Sequence, residues 1–270
     1  MKKIFLISIL VNSYLFAGID SDLDGVEDAF DKCPNTPFSD LVDKDGCSIK
    51  SLENNVHYDI IMGIGTSQMN YASGDKTDTT TTTFNANYYS GNITASVSSS
   101  YFSSRLIAST DKGFNDTIIS VNIKSASKDE LVLQAGVGVI LPTYKSGYNN
   151  EAIDYLGSIG FSYSLNKDYN LFGGASYTLI NDTDIVNKVT YQNTKFFYGG
   201  LGYIISDASS INISYLSTDS IYSSTEAIIS IAVGYFHQFN QHWFTMIDYR
   251  YGLSDSASKY DGLLKLGYYF

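Results

Sequence analysis

The chain closes on Leu264-Lys265-Leu266-Gly267-Tyr268-Tyr269-Phe270, and a period of two puts Leu264, Leu266, Tyr268 and Phe270 on one side of the segment. An edge strand carrying so much apolar surface invites aggregation unless it is paired in a closed sheet whose outer face meets lipid. The last strand of a bacterial outer-membrane β-barrel has this pattern. The segment therefore predicts a chain surrounded by outer-membrane lipid, with the barrel-assembly machinery as the partner that receives the strand ending in Phe270.

The opposite end agrees. Met1-Lys2-Lys3, the apolar run from Ile4 to Leu10 and the small pair Ala17-Gly18 read as a secretory signal peptide over residues 1–17, too short to span a bilayer. In the rest, 23 Tyr, 15 Phe and 22 Gly against 3 Pro and 1 Trp suit strands with a lipid-facing side and interfacial aromatics. Loss of Lys2 and Lys3 takes the formal charge from −11 to −13, an acidity that disfavours nucleic acid as a partner.

From position 55 the chain repeats one unit, an alternating segment of about ten residues followed by a turn. Twelve strands are predicted: 55–71, 80–90, 92–102, 116–126, 130–142, 152–165, 169–180, 191–205, 209–217, 226–238, 242–252 and 260–270. Tight turns such as Ser90-Gly91-Asn92 and Asn166-Lys167-Asp168 alternate with longer polar loops at 72–79, 103–115, 143–151, 181–190, 218–225 and 253–259. The fold class is all-β: a 12-stranded antiparallel transmembrane β-barrel over residues 51–270, with short turns and both chain ends on the periplasmic side. A soluble β-sandwich is the alternative, and it has no need of the short–long rhythm. By parity Leu131, Leu133, Val137, Ile159 and Phe161 meet lipid, whereas Gln134, Gly136, Ser158 and Ser162 point inward.

Inward positions rich in Gly, Ser, Thr and Asn leave room for a narrow aqueous path. The candidate pore-lining charges are Asp59, Lys124, Asp248, Arg250, Asp261 and Lys265. A register with Asp248 opposite Lys265 sets Arg250 diagonal to Asp261. That ladder either tunes which solutes pass or braces the wall.

Residues 18–50 are a different object, with nine acids against three lysines. Within them, carboxylates at relative positions 1, 3, 5, 9 and 12 and a glycine at 6 allow Asp20, Asp22, Asp24, the Val26 carbonyl, Asp28 and Asp31 to surround one Ca²⁺ while Gly25 makes the turn. The alternative is a solvated acidic linker. The only cysteines, Cys33 and Cys47, stand in a chain bound for an oxidising compartment and are expected to form a disulfide.

Residues 20–47, with Lys32-Cys33-Pro34-Asn35-Thr36-Pro37 after the acidic run and Val42-Asp43-Lys44-Asp45-Gly46-Cys47 beyond it, resemble a thrombospondin type 3 repeat of the kind found in linkers of outer-membrane protein A-like proteins. The resemblance implies that Asp20, Asp22, Asp24, Asp28 and Asp31 are calcium ligands and that Asp43 and Asp45 begin a second, incomplete repeat. The soluble peptidoglycan-binding domain that usually follows has no counterpart here, so peptidoglycan binding does not carry over. The stretch Ala135–Thr143, with Leu156–Tyr163 after it, resembles barrels grouped with the meta-pathway phenol-degradation proteins, which implies passage of small organic molecules.

Catalysis finds no support. His57, His237 and His242 all fall at the periplasmic rim, and no serine sits in an interpretable motif with them. The expectation is a non-enzymatic passive channel or small-solute transporter with a Ca²⁺-stabilised segment in the periplasm. The alternative is a closed structural or surface-interaction barrel whose loops or acidic repeat bind a partner, including an unidentified periplasmic one.

Overall fold

The computed structural model describes residues 20, 22, 25–28, 31–34, 36, 40–42, 44–51, 56–70, 76–105, 110–125, 130–144, 151–185 and 189–270. The expected signal peptide and the residues Asp24 and Asp43 lie outside these. Two short strands, β1 (Asp40–Val42) and β2 (Ser48–Ser51), form a small antiparallel hairpin. The larger sheet contains β3 (Val56–Asn70), β4 (Lys76–Ser90), β5 (Ile93–Arg105), β6 (Thr110–Phe114), β7 (Thr117–Lys124), β8 (Leu131–Leu141), β9 (Asp154–Ser164), β10 (Tyr169–Leu179), β11 (Thr194–Ser206), β12 (Ser209–Thr218), β13 (Ile228–Gln238), β14 (Trp243–Gly252) and β15 (Tyr260–Tyr269).

Every neighbour pairs antiparallel, and β3 pairs with both β4 and β15, which closes the sheet on itself. β6 and β7 are two halves of one strand: β5 pairs with β6 through Tyr101↔Phe114 and with β7 through Ser98↔Ile118, so one extra residue is accommodated around Asn115 and Asp116. Counted this way, the barrel has the twelve antiparallel strands that the sequence predicts.

Local chemistry fixes the turns at one end. Asn166 Oδ1 accepts the N–H groups of Asp168 and Tyr169 at 2.9 and 3.1 Å, and Asn240 Oδ1 accepts those of His242 and Trp243 at 2.9 and 3.0 Å. Gly91, at φ 57°, supplies the left-handed residue of the β4–β5 turn. Two predicted loops are shorter than expected. β4 starts at Lys76 rather than 80, and β5 and β6 extend through Arg105 and from Thr110, because the threonine run at 79–83 and the serine-rich end of β5 suit a pleated wall as well as a loop.

Facing follows parity. Leu133, Val137, Ile159, Leu264 and Leu266 are each about half exposed or more on the outside, a surface that suits lipid and not water. At the closing seam the rings of Tyr58 and Phe270 stack at 4.8 Å, and Phe270 N–H donates to the Tyr58 carbonyl.

Candidate functional site

The inward residues surround a cavity of about 420 Å³. Its wall is more varied than the sequence predicts. Ser96, Ser120, Asn122, Ser158 and Asn212 leave space, but Phe172, Phe196, Tyr198 and Leu216 fill one side with apolar bulk. Their rings fit because glycines stand beneath them: a Cβ on Gly174 would lie 2.6 Å from Tyr198 Cε1, and one on Gly200 would lie 2.6 Å from Phe172 Cζ. Parity marks positions 172, 196 and 198 as inward, so these residues were findable from the alternation alone.

All six predicted pore-lining charges point inward. Asp59 accepts hydrogen bonds from Asn87 Nδ2 and Tyr89 OH, both at 2.8 Å. Lys124 lines the cavity, as does Asp20 of the acidic segment. Lys265 Nζ meets Asp248 Oδ2 at 3.0 Å, and Arg250 Nη2 meets Asp261 Oδ2 at 3.1 Å. The expected register is off by two residues. Arg250 is directly opposite Asp261, whereas Asp248 faces Leu263 and reaches Lys265 diagonally, because the β14–β15 loop is set by the Tyr251↔Tyr260 pair.

The acidic segment does not stand apart from the barrel. Val26, 4% exposed, packs on Ile61 of β3, Phe236 of β13 and Phe244 and Met246 of β14, with Val42 and Tyr269 beside it. Asp20 and Glu27 line the same cavity as the strand residues. Lys32 and Lys44 both form ion pairs with Asp207 in the β11–β12 turn, and both also reach Asp45. These pairs hold Asp207 below the ordinary carboxylate range, Lys32 first and Lys44 second, and raise the two amines. Glu27 falls at no calcium-ligand position, and nothing in its spacing marks it for the lumen. Its carboxyl is pushed well up by burial first and then by Asp248 and Asp20.

Inside the segment, the Cys33–Cys47 disulfide is formed with Cα atoms 5.0 Å apart. Thr36 ties the two halves together, donating through Oγ1 to the carbonyls of Cys33 and Gly46, while its N–H goes to Asp22 Oδ2 at 2.9 Å. Asp20 Oδ2 accepts Gly25 N–H at 3.0 Å, and Asp31 Oδ1 accepts Cys33 N–H at 2.7 Å. Gly25 has φ 92°, in the left-handed region that favours glycine. Asp28 is half-buried, and burial pushes Asp31 up to about 8. Among the described residues no three acids converge closely enough to hold a metal.

At the other end Phe102, Tyr144, Val189 and Tyr222 form a buried apolar cluster with Ile185, Tyr191 and Ile221. Bridges between Ile185 and Val189 and between Tyr191 and Tyr222 fold the loops together, and Tyr191 and Ile221 also line the cavity. The cavity thus lies between an apolar loop cluster and the acidic segment. Outside the wall, Ser209 Oγ and His237 Nδ1 are 2.7 Å apart, and Tyr235 OH donates to the same serine. Register pairing places these two side chains together, which their separation in sequence conceals.

A solved outer-membrane channel from Pseudomonas putida F1 superposes with a TM-score of 0.65 at 13% identity, covering 79% of this chain and 95% of that one. The fold is that of an outer-membrane β-barrel. The translocator domain of the autotransporter NalP from Neisseria meningitidis matches with a TM-score of 0.51 at 13% identity, over 80% of this chain and 88% of that one. The NanC porin gives 0.51 at 14% identity, over 79% and 98%. No protein-family model and no curated protein matches the sequence. A channel, a translocator and a porin sharing one architecture show that the barrel by itself does not select a function.

Proposed function

We propose that this protein is a passive channel for small solutes across the bacterial outer membrane, with the tight turns and the acidic segment on the periplasmic side and the longer loops outside. The observation that carries this reading is the cavity of about 420 Å³ inside the wall, a volume suited to a small molecule and lined by polar side chains, the two lysines Lys124 and Lys265, and aromatic bulk. Neither the channel nor the porin that share the fold specifies which solute passes here. The resemblance of residues 135–163 to phenol-degradation barrels favours small organic molecules, and the aromatic side of the cavity accords with that. No catalytic step is assigned. The Ser209–His237 pair lies on the outer face, and its serine is already engaged by Tyr235.

The acidic segment is read as a thrombospondin type 3-like repeat held by its disulfide and by one Ca²⁺. The left-handed Gly25 supports that reading, since a calcium loop of this spacing places glycine at its sharp turn. A second reading, a closed barrel that acts as a scaffold, is favoured by the two caps.

Conductance of the purified protein in a planar bilayer, with solute exclusion measured beside it, separates the two. Current with a defined size limit, altered in ion selectivity by Lys265→Glu, supports the channel. A folded barrel that never conducts supports the scaffold.

A further inference from the structure

We infer that the disulfide-closed N-terminal segment is a removable plug, seated in the turn-end mouth of the barrel by Val26 and latched to the rim at Asp207. This rests on the channel reading above and adds to it the element that closes the path at that end.

Three independent contacts point the same way. The first is apolar: Val26 enters a seat made by Ile61, Phe236, Phe244 and Met246, whose side chains point inward and would otherwise face water in an open mouth. The second is electrostatic and internal. Glu27 is 7% exposed and lines the cavity together with Asp248 and Lys265, so the segment contributes part of the lumen wall. The third is at the rim, where Lys32 and Lys44 converge on Asp207 from the segment's two arms, and the Cys33–Cys47 bond joins those arms into one body.

The character of the contacts separates a plug from a permanent piece of the core. Among the described residues the apolar contact centres on Val26 with Val42 beside it, and the rim contacts are exposed ion pairs, which contribute little each. The barrel wall beneath is continuous without the segment, every strand from β3 to β15 finding its neighbours in the closed sheet. Withdrawal therefore breaks no ladder hydrogen bond of the barrel.

The experiment uses the full chain in liposomes, with Met246→Cys introduced under the plug and a membrane-impermeant maleimide as probe. The native disulfide consumes Cys33 and Cys47, so Met246→Cys is the one free thiol. Labelling is expected to be slow in the otherwise wild-type chain. It should be about tenfold faster or more when Val26→Asp and Asp207→Lys are added, the scale set by losing one buried valine from its seat. Deletion of residues 18–51 serves as the fully open reference. Equal labelling rates in all three, each shown folded by its heat-modifiable mobility, overturn the plug. Conductance read on the same samples distinguishes the two ideas. Faster labelling with no current in any variant sinks the channel reading while the plug stands, and equal labelling with full current in the wild type does the reverse.

Discussion

Asp248 and Lys265 do not face one another across the β14–β15 ladder, yet their charged atoms meet at 3.0 Å. Asp248 is opposite Leu263 and Lys265 is opposite Met246, so the long lysine side chain runs diagonally along the inner wall to close the pair. Both side chains are nearly inaccessible, at 8% for Asp248 and 2% for Lys265. Removal of one partner from such a pair leaves a buried charge uncompensated, whereas removal of both does not. Lys265→Met is therefore expected to cost about 3 kcal/mol in denaturant unfolding from detergent, and Lys265→Met with Asp248→Leu to recover most of that loss. A double variant no better than the single would show that the loss does not come from an uncompensated charge on Asp248.

Gly267 lies beneath the Phe244 ring, and a Cβ there would stand 2.0 Å from Cζ. Phe244 is also part of the seat for Val26. Gly267→Val is expected to lower stability by about 1–3 kcal/mol through forced repacking, and Phe244→Ala in the same chain to relieve part of it. Heat-modifiable electrophoretic mobility, scanned with temperature, reads both changes.

Cleavage of the Cys33–Cys47 bond opens a loop of sequence separation 14 in a unit with almost no core of its own. Such a closure contributes roughly 3 kcal/mol. Reduction, or Cys33→Ser with Cys47→Ser, is expected to make Lys32 and Lys44 good trypsin sites while the barrel stays resistant. Unchanged proteolysis at these two lysines would show that docking alone orders the segment.

The Asp207 cluster responds to salt and hardly to pH. A carboxylate whose value is depressed in the folded state, as Lys32 and Lys44 depress this one, contributes above its ordinary value of 3.8 and is lost only as pH falls through the lower one. No change in plug seating from this cluster is expected between about pH 5 and pH 8. Raising ionic strength shortens the screening length from about 10 Å at 0.1 M to about 3 Å at 1 M. Maleimide labelling at Met246→Cys should therefore speed up with salt in the wild type and be indifferent to salt in Asp207→Asn.

Calcium can be followed on the intact protein. Isothermal calorimetry should show one binding event in the oxidised chain, and Asp22→Ala with Asp24→Ala should remove it. No heat in the oxidised wild type would leave the acidic run as a solvated linker.

The barrel was legible because lipid outside and polar side chains inside impose a period of two over ten residues at a time, and nothing in a soluble core repeats so regularly. Leu264 and Phe270 face outward as their parity requires, and the strand count follows from the turns. The β14–β15 register was not legible. Two residues of slip leave every side chain on the same face, so the pattern cannot distinguish Asp248 opposite Lys265 from Asp248 opposite Leu263. The place of the acidic segment was hidden for another reason. Its docking residue, Val26, is one of several apolar positions interspersed with carboxylates, Leu23 and Phe30 among them, and the seat it enters is assembled from β3 and, far along the chain, from β13 and β14.

That seat has an order built into it. Ile61 comes from the first barrel strand, while Phe244, Met246 and Tyr269 come from the last two, so the pocket exists only once β3 and β15 have met. The earliest part of the chain to emerge is thus the last to find its place, and its arrival reports that the cylinder around it is complete.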